Sequence, residues 1–328
     1  MHLISLSNNK SFKCSNNETL LEGAKRAGIT LEHSCLSGRC SSCKVLVHSG
    51  TSEVKELEQS LSDTEKDAGY ILSCVRIPTS DMSIDAEDLS EYSLSDPKII
   101  PTKINDIRML TDDVIKIILR FPPNQSIKFQ AGQYINVIKG SAKRSYSIAS
   151  SYQEIGSLEL FIKKYPNGLM SDYFFNEAKL NDLLRIEGPK GTFFLRNSIN
   201  KANIIFLATG TGIAPIKSIL ETMAITPEKY SNISIYLFWG VKYFSDLFWY
   251  PEIDRLNIKY FPVLSQEHNV LTQFGHIQNI LLAKNIALNE SVVYACGSNH
   301  MITDAKSKLI ENGLSEHYFY SDAFVTSN

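Results

Sequence analysis

No run of about 18 apolar residues occurs in this chain, so no segment is expected to cross a bilayer as a helix. Neither sign of charge is in excess: 33 Lys and Arg stand against 35 Asp and Glu, a formal net charge of -2. That balance gives no electrostatic case for a nucleic acid or an anionic membrane surface as partner. Cysteine is scarce, six in 328 residues, too few for a disulfide scaffold of this size. The opening Met1-His2-Leu3-Ile4-Ser5-Leu6-Ser7-Asn8 lacks the long apolar core of a signal peptide. A reducing cytoplasm is therefore the expected setting. No internal repeat is evident, and the full G-x-G-x-x-G fingerprint is missing. What the chain does have is length: 328 residues, 43% hydrophobic. That is too long for one ordinary core and suggests two or three domains of about 100 residues each.

Four of the six cysteines carry the strongest signal. Cys35, Cys40 and Cys43 are spaced C-x4-C-x2-C, and Cys74 follows after 30 intervening residues. Three thiolates on one tight loop and a remote fourth is the ligand spacing of a plant-type [2Fe-2S] cluster. Gly38, Ser41 and Ser42 are small enough to let backbone N–H groups approach the cluster sulfurs and tune its potential. The bland alternative, a four-cysteine zinc site, usually pairs its ligands as two short clips. His33 borders the loop and could be counted as a fifth candidate, since histidine replaces cysteine in Rieske centres. With four cysteines present, a surface or hydrogen-bonding role suits it better. Cys14 and Cys296 have no obvious partner.

In chain order, residues 1–13 read as a hairpin turning at Asn8-Asn9. Thr19 caps a short helix over 20–27 that ends at Gly28. Strands leave the cluster loop at 43–47 and return with the last ligand at 70–74. A half-open sheet with one helix across it, a β-grasp, is expected over residues 1–91. From Asp88 to Asp96 the composition turns to Ser, Glu and Asp, followed by Pro97 and Pro101, which is linker chemistry. Short alternating strands at 114–121, 132–138 and 158–163 then argue for a small antiparallel β-barrel, taken as residues 98–198. Two polar motifs interrupt it: Arg144-Ser145-Tyr146-Ser147, and Gly168-Leu169-Met170-Ser171 at the start of a helix. Residues 201–328 change period, with continuous apolar strands at 203–208, 233–239, 258–263 and 292–295 between helical patterns. Such strands belong to a parallel α/β sheet buried on both faces. The expected whole is a multidomain α+β, β, α/β chain.

Thr209-Gly210-Thr211-Gly212-Ile213-Ala214-Pro215 joins a buried strand to a helix. Glycine permits close backbone approach, and proline in the first turn forgoes an N–H that has no intrahelical partner. The helix N-terminus suits an anion, and a nucleotide pyrophosphate is the natural ligand. An ordinary glycine-rich turn is the plain alternative. Arg144-Ser145-Tyr146-Ser147 offers a cation, a ring and hydroxyls, but alone it could be any exposed strand end.

The order R-x-Y-S, G-x-x-S, G-T-G-x-A-P and Cys296-Gly297-Ser298 resembles the ferredoxin–NADP reductase superfamily, here with a plant-type ferredoxin segment in front. The resemblance implies FAD and NAD(P)H as cofactors beside the [2Fe-2S] cluster. Arg144 would neutralise the FAD pyrophosphate, Tyr146 pack on the flavin, and Ser147 hydrogen-bond near N5. Gly168, Met170 and Ser171 would cradle the flavin phosphates. Gly210, Thr211, Gly212 and Pro215 would line the nicotinamide nucleotide pocket, Cys296 would sit beside the nicotinamide, and Gly297 would also bind the cofactor. Phe324 would cover the flavin until the nicotinamide displaces it. Without the resemblance Cys296 reads as a buried core thiol and Phe324 as a packed terminal aromatic.

At finer grain the chain is similar to the CDP-6-deoxy-delta-3,4-glucoseen reductase family. The similar stretches are 133–135, 144–149, 185–194, 294–298 and Phe319-Tyr320-Ser321-Asp322-Ala323-Phe324-Val325. That implies a pyridoxamine-phosphate-dependent dehydrase of 3,6-dideoxyhexose synthesis as redox partner. The reductase component of a bacterial oxygenase shares the same domain order. A non-catalytic [2Fe-2S] binding protein with a decayed flavin module is the reading from another class, which the intact Arg144 and Ser147 oppose. After the second nucleotide-domain strand, 239–246 contain one Lys and no Arg, thin support for a 2′-phosphate, so NADH is favoured over NADPH. A cluster near the about −400 mV typical of plant-type ferredoxins is uphill from nicotinamide, so a raised cluster potential is expected.

Overall fold

Residues 1–151, 156–197, 200–252 and 254–324 are described by the structure, a computed structural model. Val325, the last residue of the stretches quoted above, and residue 198, the expected end of the second domain, lie outside the described residues. The chain divides into two compact units, Met1–Leu94 and Ser95–Asn328.

The first unit is a five-stranded sheet with Ser11–Cys14 at one edge, then His2–Leu6, Met82–Asp85, Lys44–Ser49 and Tyr70–Leu72. The hairpin at its start and the parallel pairing of His2–Leu6 with Met82–Asp85 bring both ends of the unit to the sheet centre. The helix Leu20–Arg26 starts at a capping box between Thr19 and Glu22 and buries Leu20, Gly23 and Ala24. Gly23 sits mid-helix because a Cβ there would lie 2.7 Å from the Cys14 sulfur. Cys14 is thus a packing residue: its buried thiol donates to the Glu18 and Thr19 carbonyls, and burial raises its pKa to about 12. The stretch read as linker is in part anchored. Asp88 bridges to Leu31, the Leu89 N–H reaches the Thr30 carbonyl at 2.7 Å, and Leu89 and Tyr92 are buried. Two isolated apolar residues in a polar run were its tether, and composition alone hid them.

The second unit opens with six antiparallel strands in the order Ala142–Ser147, Tyr134–Lys139, Leu183–Lys190, Lys98–Met109, Val114–Arg120, Ser157–Lys163. A bridge from Ile148 to Leu160 joins the first strand to the last, which curls the sheet into a barrel. Its interior is an aliphatic cluster that includes Ile117, Leu119, Ile135, Val137, Leu160 and Ile186. Arg144-Ser145-Tyr146-Ser147 does not interrupt this barrel; it is one of its strands, paired residue for residue with Tyr134–Val137.

The rest is a six-stranded sheet, parallel throughout, ordered Gln273–Phe274, Ile258–Leu264, Ser234–Val241, Asn203–Thr209, Ser291–Ser298, Phe319–Phe324. Successive connections run outward in one direction from Asn203–Thr209, and the next then starts on its other side with Ser291–Ser298. The gap between those two strands at their carboxyl ends is a topological switch point, the crevice where open α/β sheets bind ligands. One core runs from this sheet to the barrel: Ala149, Phe161 and Phe193 pack with Ile213, Ala214, Ile216 and Cys296.

Candidate functional site

The cluster loop is built by backbone curvature. Leu36, Gly38 and Ser41 all take left-handed φ values, 60°, 69° and 59°, so the chain coils tightly between Cys35 and Cys43. A Cβ on Gly38 would meet the Leu57 carbonyl at 2.5 Å, so glycine is required there by the neighbouring chain. Antiparallel pairing of Lys44–Leu46 with Tyr70–Leu72 closes the long gap to Cys74, and the Ser73 N–H bonds the Cys43 carbonyl at 3.0 Å. The Cys43 and Cys74 sulfurs then stand 3.1 Å apart. Cys40 lies beside Cys35, whose thiol is drawn down to about 5 by a hydrogen bond from Cys40 and by N–H donors of Ser37 and Arg39. The Ser37 N–H is 3.4 Å from that sulfur. Cys40 and Cys43 are pushed up, each by the partner thiolate it donates to and by burial. The four sulfurs are therefore two adjacent pairs, and among the described residues no three metal-ligating side chains converge on one point. Two pairs fit the two irons of a [2Fe-2S] cluster better than one zinc ion.

Ser41 turns its own polar groups away from the cysteine sulfurs. Its N–H and its hydroxyl are both engaged by Ser60, at 3.0 and 3.1 Å. His33 places Nδ1 2.9 Å from the Leu31 carbonyl. Two residues that no spacing rule flagged brace the chain around Cys74: the buried Glu58 accepts from the Leu72 N–H at 2.7 Å and from Arg76 Nε at 3.0 Å. Glu58 thus clamps the chain on both sides of Cys74, and it follows Leu57, whose carbonyl crowds Gly38.

In the barrel, Arg144 is half-buried and, among the described residues, meets no carboxylate; one guanidinium nitrogen bonds the Lys143 carbonyl at 2.9 Å. A cation left uncompensated suits an anionic ligand. Tyr146 lies edge-on to Phe174, ring centres 6.1 Å apart, and its hydroxyl, raised by burial, feels both Arg144 and Tyr165. The arginine, the tyrosine and the 165–171 turn are therefore together. That turn borders a hollow of about 570 Å³ lined by Lys164, Tyr165, Gly168 and Ser171 among others. Met170 points its side chain into the barrel core, and the Ser171 hydroxyl is held inside the turn by the Gly168 and Tyr165 carbonyls, at 2.9 and 3.0 Å. What these two positions offer a phosphate is backbone N–H, the donor a helix start leaves free. Ser147 ends its strand with 7% exposure.

At the switch point, Gly210 has φ 53°, and a Cβ on Gly212 would come within 2.2 Å of the Cys296 carbonyl. Gly297, at φ 144°, allows the Thr209 hydroxyl to approach and bond the Ser298 N–H at 3.1 Å. The glycines thus let two strand ends meet, and they open the crevice as a consequence. Thr211 and Pro215 are buried in the first turns of the loop and helix. Trp239, fully buried on the neighbouring strand, donates Nε1 to the Gly210 carbonyl at 2.9 Å and fixes the loop, which no local pattern announced. Cys296 is completely buried, and desolvation with nearby Asp322 raises its pKa, so it is a neutral thiol. Phe324 pairs in register with Ser298 and packs on the core that contains Cys296.

Three family models match the chain: a 2Fe-2S iron-sulfur cluster binding domain over residues 4–79, an oxidoreductase FAD-binding domain over 101–195 and an oxidoreductase NAD-binding domain over 206–307. The CDP-6-deoxy-L-threo-D-glycero-4-hexulose-3-dehydrase reductase of Yersinia pestis is 38% identical over 322 residues, 96% of each chain. The toluate 1,2-dioxygenase electron transfer component of Pseudomonas putida is 30% identical over 94% of this chain and 93% of its own. The solved ferredoxin reductase of carbazole 1,9a-dioxygenase superposes with a TM-score of 0.70 at 23% identity, covering 99% and 98% of the two chains.

Proposed function

We propose an electron acceptor for this chain, which belongs to the iron–sulfur flavoprotein reductases of the ferredoxin–NADP reductase superfamily. It is an NAD(P)H-dependent oxidoreductase, and electrons pass from NAD(P)H through FAD to the [2Fe-2S] cluster. The acceptor is the pyridoxamine-phosphate-dependent dehydrase of CDP-3,6-dideoxyhexose synthesis, whose bound CDP-6-deoxy-delta-3,4-glucoseen intermediate takes them up. The observation that carries this is the difference in likeness over nearly the whole chain: 38% identity to the hexulose dehydrase reductase against 30% to the toluate component. The latter sustains a second reading, the reductase of a bacterial oxygenase.

Within that reading residues 1–91 hold the cluster, 98–198 the flavin and 201–328 the nucleotide, and the site residues divide the labour. Cys35 and Cys40 hold one iron, Cys43 and Cys74 the other. Arg144 neutralises the FAD pyrophosphate, Tyr146 packs along the ring system, and the N–H groups at Gly168, Met170 and Ser171 receive phosphate oxygens. FAD, when bound, accepts a hydride and releases electrons one at a time, which nicotinamide cannot do. Ser147 would hydrogen-bond near flavin N5, and Cys296, a neutral buried thiol, would sit beside the nicotinamide. Gly210, Thr211, Gly212, Pro215 and Gly297 shape the pocket for the dinucleotide, and Phe324 shields the flavin face from water. NADH is preferred, since residues 239–246 bring only Lys242 to the ribose end.

Reconstitution separates the two readings. NADH with the dehydrase and its CDP-sugar is expected to give sustained NADH consumption and reduced sugar. Turnover with an oxygenase and none with the dehydrase would move the chain to the second reading.

A further inference from the structure

The helix that follows the glycine loop, Ile213–Met223, carries a buried cation that the roles above leave unused. Lys217 is 8% exposed, and its ammonium meets three acceptors: the Ala149 carbonyl at 2.9 Å, Glu159 Oε1 at 3.2 Å and Glu221 Oε1 at 2.7 Å. Its neighbour Ser218 donates to the Ser150 carbonyl at 2.6 Å, and Glu221 receives the Ser151 N–H at 3.2 Å. Glu159 is held in turn, its N–H bonded to the Ser150 hydroxyl at 3.1 Å and its carbonyl to the Ala149 N–H at 2.8 Å. Residues 149–151 directly continue the strand that ends in Ser147, and Lys217 stands one turn beyond the loop of Gly210–Gly212. The nucleotide-binding helix and the flavin-facing strand are thus bolted together within a few residues of their functional ends.

A gain in stability is a weak explanation for this device. A buried ion cluster is commonly no better than well-packed apolar residues of the same shape, whereas it closes at one setting of the two elements and few others. We propose that Lys217 is a positioning residue for hydride transfer: it fixes the register of the glycine-loop helix against the end of the flavin strand, and so the approach of the nicotinamide to the flavin. In that transfer a hydride leaves C4 of NADH and bonds to N5 of FAD, giving NAD+ and the anionic reduced flavin. Displacements of about 1 Å in such an approach cost on the order of a hundredfold in rate. The inference rests on the flavin and nucleotide assignment above.

The test uses the full-length, cluster-loaded protein. The variant K217M/E159Q/E221Q removes the buried charges together and strands none of them. Flavin reduction by NADH is followed anaerobically by stopped flow, beside electron passage to the cluster after photoreduction of the flavin. Hydrogen–deuterium exchange of peptides covering 146–151 and 209–221 is measured on the same samples. The expected result is retained FAD, hydride transfer slowed about tenfold or more, unchanged flavin-to-cluster transfer, and faster exchange in both peptides. Unchanged hydride transfer, or equal slowing of both steps, would overturn the proposal. Should the triple variant not hold FAD, the same measurements on S218A decide, with a severalfold slowing expected and a wild-type rate contradicting it. Wild-type flavin that NADH fails to bleach would instead sink the underlying assignment.

Discussion

At the scale of single residues, contact geometry explains more of the site than side-chain chemistry does. Gly297 is the sharpest case, because a Cβ there would sit 2.1 Å from the Thr209 hydroxyl oxygen and the backbone lies at φ 144°. Gly297→Ala is expected to lower unfolding free energy by about 2 kcal/mol or more, through forced separation of the two strand ends. Urea denaturation checks this, and a midpoint equal to wild type would remove the close-approach argument. The cysteines stood out because metal chemistry imposes spacing on sequence, and the structure brings their sulfurs together in pairs. Glu58, Trp239 and Lys217 did not, since each acts on residues far away in the chain and leaves no local period or motif. Met170 and Ser171 show the converse. Their positions were singled out through resemblance, yet their side chains are absorbed by the core and the turn.

Among the secondary-structure elements, alternation and apolar runs located three barrel strands and four strands of the parallel sheet, since period states which face is buried; Met82–Asp85, Lys98–Met109, Leu183–Lys190 and Phe319–Phe324 went unread. The anchoring of 88–92 escaped because two apolar residues make no period. The polar face of the barrel has a readable acid response. Glu187 on Leu183–Lys190 would be raised by burial, but hydrogen bonds from Lys143, Asn136 and Lys190 bring it down to about 2 from an ordinary 4.5. A carboxylate depressed in the folded state adds stability that is complete above its unfolded value and lost as pH falls toward the folded one. Glu187→Gln should therefore destabilise the barrel at neutral pH and flatten the loss of stability between pH 4.5 and about 2. Melting temperatures across that range test it; parallel curves for the two proteins would contradict the pairing.

At the scale of the whole molecule, the chain partitions at Leu94/Ser95, while barrel and parallel sheet share one core within the second unit. Composition marked the region of the first boundary through its prolines and acidic run. It could not show the shared core, which comes from residues as distant as Ala149 and Cys296. Limited proteolysis of the holoprotein should cut first at residues 93–97, between the last anchored residue, Tyr92, and the barrel's opening strand at Lys98. It should yield a cluster-bearing fragment and a flavin-bearing one that still oxidises NADH with ferricyanide. First cleavage inside the second unit, between barrel and sheet, would show that the shared core is weaker than the junction.

Electrons entering as hydride must fill the flavin before the cluster. Mixing the oxidised protein with NADH under anaerobic conditions, with flavin absorbance and the electron paramagnetic resonance of the reduced cluster followed in time, tests that order directly. Flavin should bleach first, and the cluster signal should then rise at the expense of the reduced flavin. A cluster signal that appears before or without flavin bleaching, or a flavin that fills while the cluster stays oxidised, would contradict it.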